Sequence, residues 1–314
     1  MKFQSSSGLL NAARITEGYF NVPGEILARG IEIIGCGILD GAAWLGIKLK
    51  LEGPLKWLGG IVKGIFSIVA VAIKSLFGIP GGIISGLILI VGSLFTLRGS
   101  TLKKGAENLL MPTIGAVIML VGKLVALVQT ILYLQGFERP LTIQEKEILY
   151  PVFTESTNPY IIRIIDRHAG LFDITPRAFA LGNTLYLKKP HFSDDLLIHE
   201  AVHSWQYQHF GSRYTIDALA AQWFVEDAYN WKKELEESQK ADWLLLNMEA
   251  QAGFIEYLWL WGSLEDSYGS QVDYGQGCFF RSDGQSLFGK FNAYGKDFTL
   301  IASNATIAIR KKWM

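Results

Sequence analysis

An α+β domain preceded by a hydrophobic, helical, membrane-associated region is what this chain of 314 residues predicts. Half of its residues are hydrophobic and only 18% are charged, with the apolar excess concentrated before residue 136. Behind that point the periodicities run helix, strand, strand, helix, helix, which is the order of an α+β domain. The expected division is therefore 1–136 and 137–314.

In the first part, Ser75 to Leu97 holds no charged residue, and Asn108 to Phe137 holds only Lys123. A helix needs about 20 apolar residues to cross a bilayer, so both stretches predict spans. A short loop carrying Arg98, Lys103 and Lys104 is expected between them. Gly24 to Ile47 and Trp57 to Ile73 include Glu32, Asp40 and Lys63, a mixture that predicts separate interfacial or bundle-facing helices. The lipid bilayer is thus an expected partner and the membrane the expected location. Lysine plus arginine and aspartate plus glutamate number 29 each, so no basic field points to nucleic acid. Cys36 and Cys278 stand alone in different regions, which predicts neither a disulfide framework nor a thiolate metal site. The first 25 residues lack the apolar core of a cleavable signal peptide.

In the second part, Thr142 with Glu145 predicts a capping box opening a helix to about Val152, and Asn158-Pro159 a turn. Strands are expected at 160–165 and 178–187, the latter with a Gly182-Asn183 turn or bulge. Asp194 or Asp195 is the expected cap of a helix from Leu196 to about Gln208, stopped by Gly211. Helices over Thr215–Glu237 and Ala241–Trp261 follow, and the Gly-rich tail from Ser267 reads as loops and short strands.

The chemistry lies in His199-Glu200-Ala201-Val202-His203, an H-E-x-x-H sequence. Residues four apart share one helix face, so both imidazoles can reach one Zn2+ ion while Glu200 projects toward the water that ion activates. Zinc brings such a water toward neutral pKa, and a carboxylate can take its proton and pass it to a leaving amine. Leu196, Leu197, Ile198, Ala201 and Val202 make this a buried helix, where histidines need partners. Gln206 is expected to pack or hydrogen-bond beside the site. Tyr207, Tyr214 and Tyr257 are candidate oxyanion donors, with packing in a core or an interface the stronger expectation for each. His168 and His191 stand at no ligand spacing and are expected at the surface.

These residues carry a resemblance. Arg177 to Leu187 (Arg-Ala-Phe-Ala-Leu-Gly-Asn-Thr-Leu-Tyr-Leu) and Leu196 to Gln206 (Leu-Leu-Ile-His-Glu-Ala-Val-His-Ser-Trp-Gln) together resemble the metallopeptidase domain of extracellular contractile injection system core proteins and related bacterial toxins. The resemblance covers roughly residues 160–255. It implies a zincin-like fold, zinc on His199 and His203, catalysis by Glu200, and a substrate-facing edge strand at 178–187; a peptide or protein substrate is expected from the chemistry of a zinc-activated water beside a carboxylate. Asn247-Met248-Glu249-Ala250-Gln251-Ala252 is similar to the helix that supplies a glutamate ligand in gluzincins, which makes Glu249 the expected third ligand. Ala180 and Ser204-Trp205 depart from the family pattern, which bears on specificity.

His209 is the rival third ligand, six residues after His203 as in metzincins. Gln206, however, stands where those proteins have the glycine that lets the chain leave the helix. On a continuing helix His209 points about 120° away from His203. Asp217 and Glu226 are lesser rivals. The function expected is a membrane-associated zinc-dependent peptidase; the alternative is a pore-forming or membrane-disrupting toxin whose metal site is structural.

Overall fold

The computed structural model describes residues 2–96, 99–225, 227–238 and 242–311; Leu97, Arg98, Glu226 and Ala241 lie outside them. The chain divides into two compact units, one of residues 1–137 with 207–217, the other of 138–206 with 218–314.

The first unit is built on three helices, α1 (Lys2–Leu49), α2 (Glu52–Thr96) and α3 (Gly99–Ile131). All three are long and apolar enough to cross a membrane. Their boundaries correct the expected ones. Trp57–Ile73 and Ser75–Leu97 are not two helices: α2 runs without a break through the first and through the described part of the second, to Thr96. The charge that divides them in sequence, Lys74, is buried and paired with Glu25 at 2.6 Å, so nothing forces the helix to end there. Lys103 and Lys104 likewise belong to helix α3, which stops at Ile131, short of Phe137.

Polarity in these helices is inverted relative to a water-soluble bundle. Glu32, Lys63, Lys74 and Lys123 are buried, whereas Ile33 and Ile34 of α1, Ile65, Leu87 and Val91 of α2, and Val117, Val121 and Leu124 of α3 are exposed. Asp40, Lys103 and Lys104 are exposed charges on the same helices. Glycines let the backbones meet: a Cβ on Gly86 would lie 2.7 Å from the Gly105 carbonyl oxygen. Such small-residue contacts suit helices that pack without a hydrophobic driving force between them.

The second unit is mainly helical with small sheets. After β1 (Arg139–Pro140) comes α4 (Ile143–Phe153), whose capping box is present: Thr142 Oγ1 accepts from the Glu145 N–H, and the Glu145 carboxylate accepts from the Thr142 N–H. The strand expected at 160–165 is shorter, β2 (Arg163–Ile165). The one expected at 178–187 is a hairpin of β3 (Phe179–Leu181) and β4 (Thr184–Tyr186), because Gly182 takes φ 63° and reverses the chain. The sheet order is β1-β2-β4-β3, with β2 and β4 parallel and β3 on the edge.

Helix α5 (Asp194–Phe210) follows. Its first bond runs from the Leu197 N–H to the Ser193 carbonyl, so Asp194 and Asp195 occupy the first turn and not the cap. Leu197, Ile198, Ala201, Val202 and Trp205 are fully buried, so the middle turns of the helix are enclosed. The helix expected over Thr215–Glu237 is two, α6 (Arg213–Phe224) and α7 (Trp231–Ser238), divided by a turn in which Asp227 takes φ 61°. Helix α8 (Met248–Trp261) starts later than expected, at the Asn247 side chain, which accepts from the Ala250 N–H. The tail forms β5 (Ser263–Asp266), β6 (Gln271–Tyr274) and β7 (Leu287–Lys290) in one sheet, and β8 (Asn292–Ala293) with β9 (Lys296–Asp297) in another. It ends in a helix the loop expectation missed, α9 (Thr299–Arg310).

Candidate metal centre

Helices α5 and α8 bring His199, His203 and Glu249 together, all buried, with one ligand atom from each lying within 4.8 Å of the others. Glu249 Oε2 is 3.3 Å from His203 Nε2 and 3.6 Å from His199 Nε2. The two imidazoles, one turn apart, sit edge-on with centroids 5.0 Å apart, as the i, i+4 spacing requires.

Each donor is fixed by a second contact. His199 Nδ1 lies 2.8 Å from Glu256 Oε2, so the carboxylate accepts a hydrogen bond from the Nδ1–H, and Nε2 is the ring nitrogen turned toward Glu249 and available to a metal. For His203 a chain of amides does the same. Gln251 Nε2 donates to the Leu246 carbonyl, and Gln206 Nε2 donates to Gln251 Oε1 and to the Met248 carbonyl. That orients Gln206 Oε1 toward His203 Nδ1 at 2.8 Å, as acceptor. The other Glu249 oxygen accepts from Gln222 Nε2 at 2.7 Å.

This donor set fits a zinc ion. Two imidazole nitrogens and one carboxylate oxygen are the ligands of open zinc sites, and three protein ligands leave a position for water or substrate. Glu200 supplies the independent sign: its carboxylate is buried, and Oε2 has no hydrogen-bond partner. A buried acceptor left unmatched by protein is suited to a proton that arrives with a bound molecule.

Electrostatics agree. Burial would lower the His199 pKa, but contacts with Glu249 and Glu256 raise it to about 10. Burial also opposes ionisation of Glu249, yet His203 and His199 hold its carboxyl well below the usual range. For Glu200 burial dominates and raises the pKa against the pull of the two histidines. Without metal, therefore, His199 carries a proton at neutral pH that an incoming ion must expel. Metal affinity should rise with pH up to about 10, and at pH 7.5 binding should release about one proton per ion from His199 alone. Calorimetry in buffers of different ionisation enthalpy measures this; no proton release would contradict the pairing.

The other expected residues sort differently. Gln206 is beside the site, as described. Of the tyrosines, Tyr257 stacks on Tyr294 at 5.6 Å, and Tyr207 and Tyr214 belong to the helical unit. The tyrosine at the site is Tyr229, its ring centroid 6.1 Å from that of His199 and its hydroxyl accepting from Arg177 Nη1 at 3.2 Å. Asp217 is taken up by Arg213 at 3.2 Å. His168 and His191 are exposed. Glu256, Gln222 and Tyr229 were not anticipated in their positions; for Glu256 the signal was its place seven residues after Glu249, two turns along one face. No family model, curated protein or solved structure matches this chain.

Proposed function

We propose that the chain is a membrane-associated zinc-dependent peptidase whose second unit is zincin-like and gluzincin-like in its ligands. The observation that carries the reading is the buried His199, His203 and Glu249 donor set beside the unpartnered Glu200 oxygen. Zinc would supply Lewis acidity, polarising the scissile carbonyl and making a water nucleophilic near neutral pH. Glu200 would take the water's proton and return it to the leaving amine. Because the Tyr229 oxygen accepts from Arg177, its own proton is free to be donated toward the developing oxyanion. Tyr229→Phe should then lower kcat about a hundredfold with metal retained; an unchanged kcat in single-turnover assays would remove Tyr229 from the reaction. Edge strand β3 offers backbone groups to an extended peptide.

The inverted polarity of α1 to α3 supports the bilayer as partner. The full chain should stay with membranes through carbonate extraction, and recovery in the aqueous fraction without detergent would remove the anchor. The deciding experiment for the whole reading is metal content together with peptide-library cleavage by the full chain in detergent. One zinc per chain and chelator-sensitive cleavage are expected; a metal-free chain or chelator-resistant cleavage would overturn it.

A further inference from the structure

We propose that Lys74 of the hydrophobic helices is a positioning residue for the metal-ligand helix, holding α5 by its C-terminal end. The inference rests on the metal reading of the site. Helix α5 carries both histidines, but its last turn, with the chain as far as Asp217, belongs to the helical unit. The final carbonyls of a helix have no partner within it. Here the Tyr207 carbonyl, one turn after His203, receives two donors. Gly211, at φ 63°, returns its N–H at 3.0 Å, a left-handed cap. Lys74 Nζ lies 3.4 Å from the same oxygen. The ammonium also stands 3.8 Å from the centre of the Tyr207 ring and 2.6 Å from Glu25 Oε2.

A cation at the negative end of the helix dipole is favourable, and more so out of water, where Lys74 is 4% exposed. A lysine needed only to neutralise Glu25 has no reason to sit over that ring and carbonyl as well. The following residues are held too. Arg213 donates to Asn108 Oδ1 of α3 at 2.8 Å and faces Glu17 of α1 at 3.6 Å. At Gly115 of α3 a Cβ would lie 2.3 Å from the Ser212 carbonyl oxygen, so only glycine allows that approach. All three hydrophobic helices therefore grip the chain immediately behind the second histidine. A loosened end lets the last turns of α5 fray back toward His203, one turn before the Tyr207 carbonyl.

The test uses the full chain in detergent, with amide hydrogen exchange across α5 in metal-free protein and Co2+ affinity as readouts. Lys74→Met should speed exchange in the last turns of α5 at least tenfold and weaken Co2+ binding about tenfold, while Lys74→Arg, which keeps the cation, should resemble the parent. The double variant Lys74→Met with Glu25→Gln removes the carboxylate charge that Lys74 balances together with Arg29, 3.5 Å from the other Glu25 oxygen, and should stay loosened; its return to parent behaviour would reduce Lys74 to a counterion and overturn the proposal. Gly115→Ala should loosen the same amides although alanine is the better helix former, and parent-like exchange in it would count against the grip. If the parent binds no Co2+, the metal reading falls, whereas the exchange rates still decide the role of Lys74.

Discussion

Glu200→Gln should bind zinc as the parent does and lose hydrolysis by about three orders of magnitude, the upper part of the range for a positioned proton carrier. The two halves of this result have separate causes. The ligand atoms belong to His199, His203 and Glu249, none of which the substitution touches. The Glu200 Oε2 that becomes an amide has no hydrogen-bond partner to lose. An amide nitrogen there donates where an acceptor is required and cannot take a proton. His199→Ala should instead lose both metal and hydrolysis, because it also strands Glu256, 2.8 Å from its Nδ1, and leaves Glu249 facing one imidazole. Metal analysis beside single-turnover cleavage separates the outcomes. A Gln variant cleaving at the parental rate would show that another group moves the proton.

What could be read from sequence was what depends on neighbours along the chain. The helix rotation that sets His199 edge-on to His203 follows from four residues, and the Thr142–Glu145 capping box from three, so both were visible. Helix ends were less so, because tertiary partners set them. Lys74 looks like a boundary in sequence and is buried beside Glu25 within α2, and Asp227 adopts the positive φ that splits one expected helix in two. That split puts Tyr229 in the turn next to His199, a placement no periodicity contained. Helix α9 did carry a signal, since Ala302, Ala305, Thr306 and Ile309 are its buried positions at i, i+3, i+4 and i+7. The glycines before it drew attention to turns instead. Glu249 was reachable through its helix, but Gln222, which orients it, comes from α6 and is known only once the fold is.

Glu249→Ala should weaken zinc binding by more than about a hundredfold, beyond the loss typical of an outer partner, while His209→Ala should change it little. The geometry separates the rivals. Helix α5 continues unbroken through Phe210, so the chain does not leave the helix after His203, and His209 stays about 120° around the axis from it. Glu249 needs no rearrangement: Oε2 is already 3.3 Å and 3.6 Å from the two Nε2 atoms, and its side chain is 2% exposed. Gln222→Ala, which frees the other carboxylate oxygen, should cost about tenfold, an outer-partner effect. The three affinities, measured by competition with a chromophoric chelator on the full chain in detergent, form a ranking that helix geometry dictates. If His209→Ala proved the most damaging and Glu249→Ala nearly neutral, α5 would have to unwind after Gln206 to bind metal, and the gluzincin-like assignment would give way to a three-histidine site.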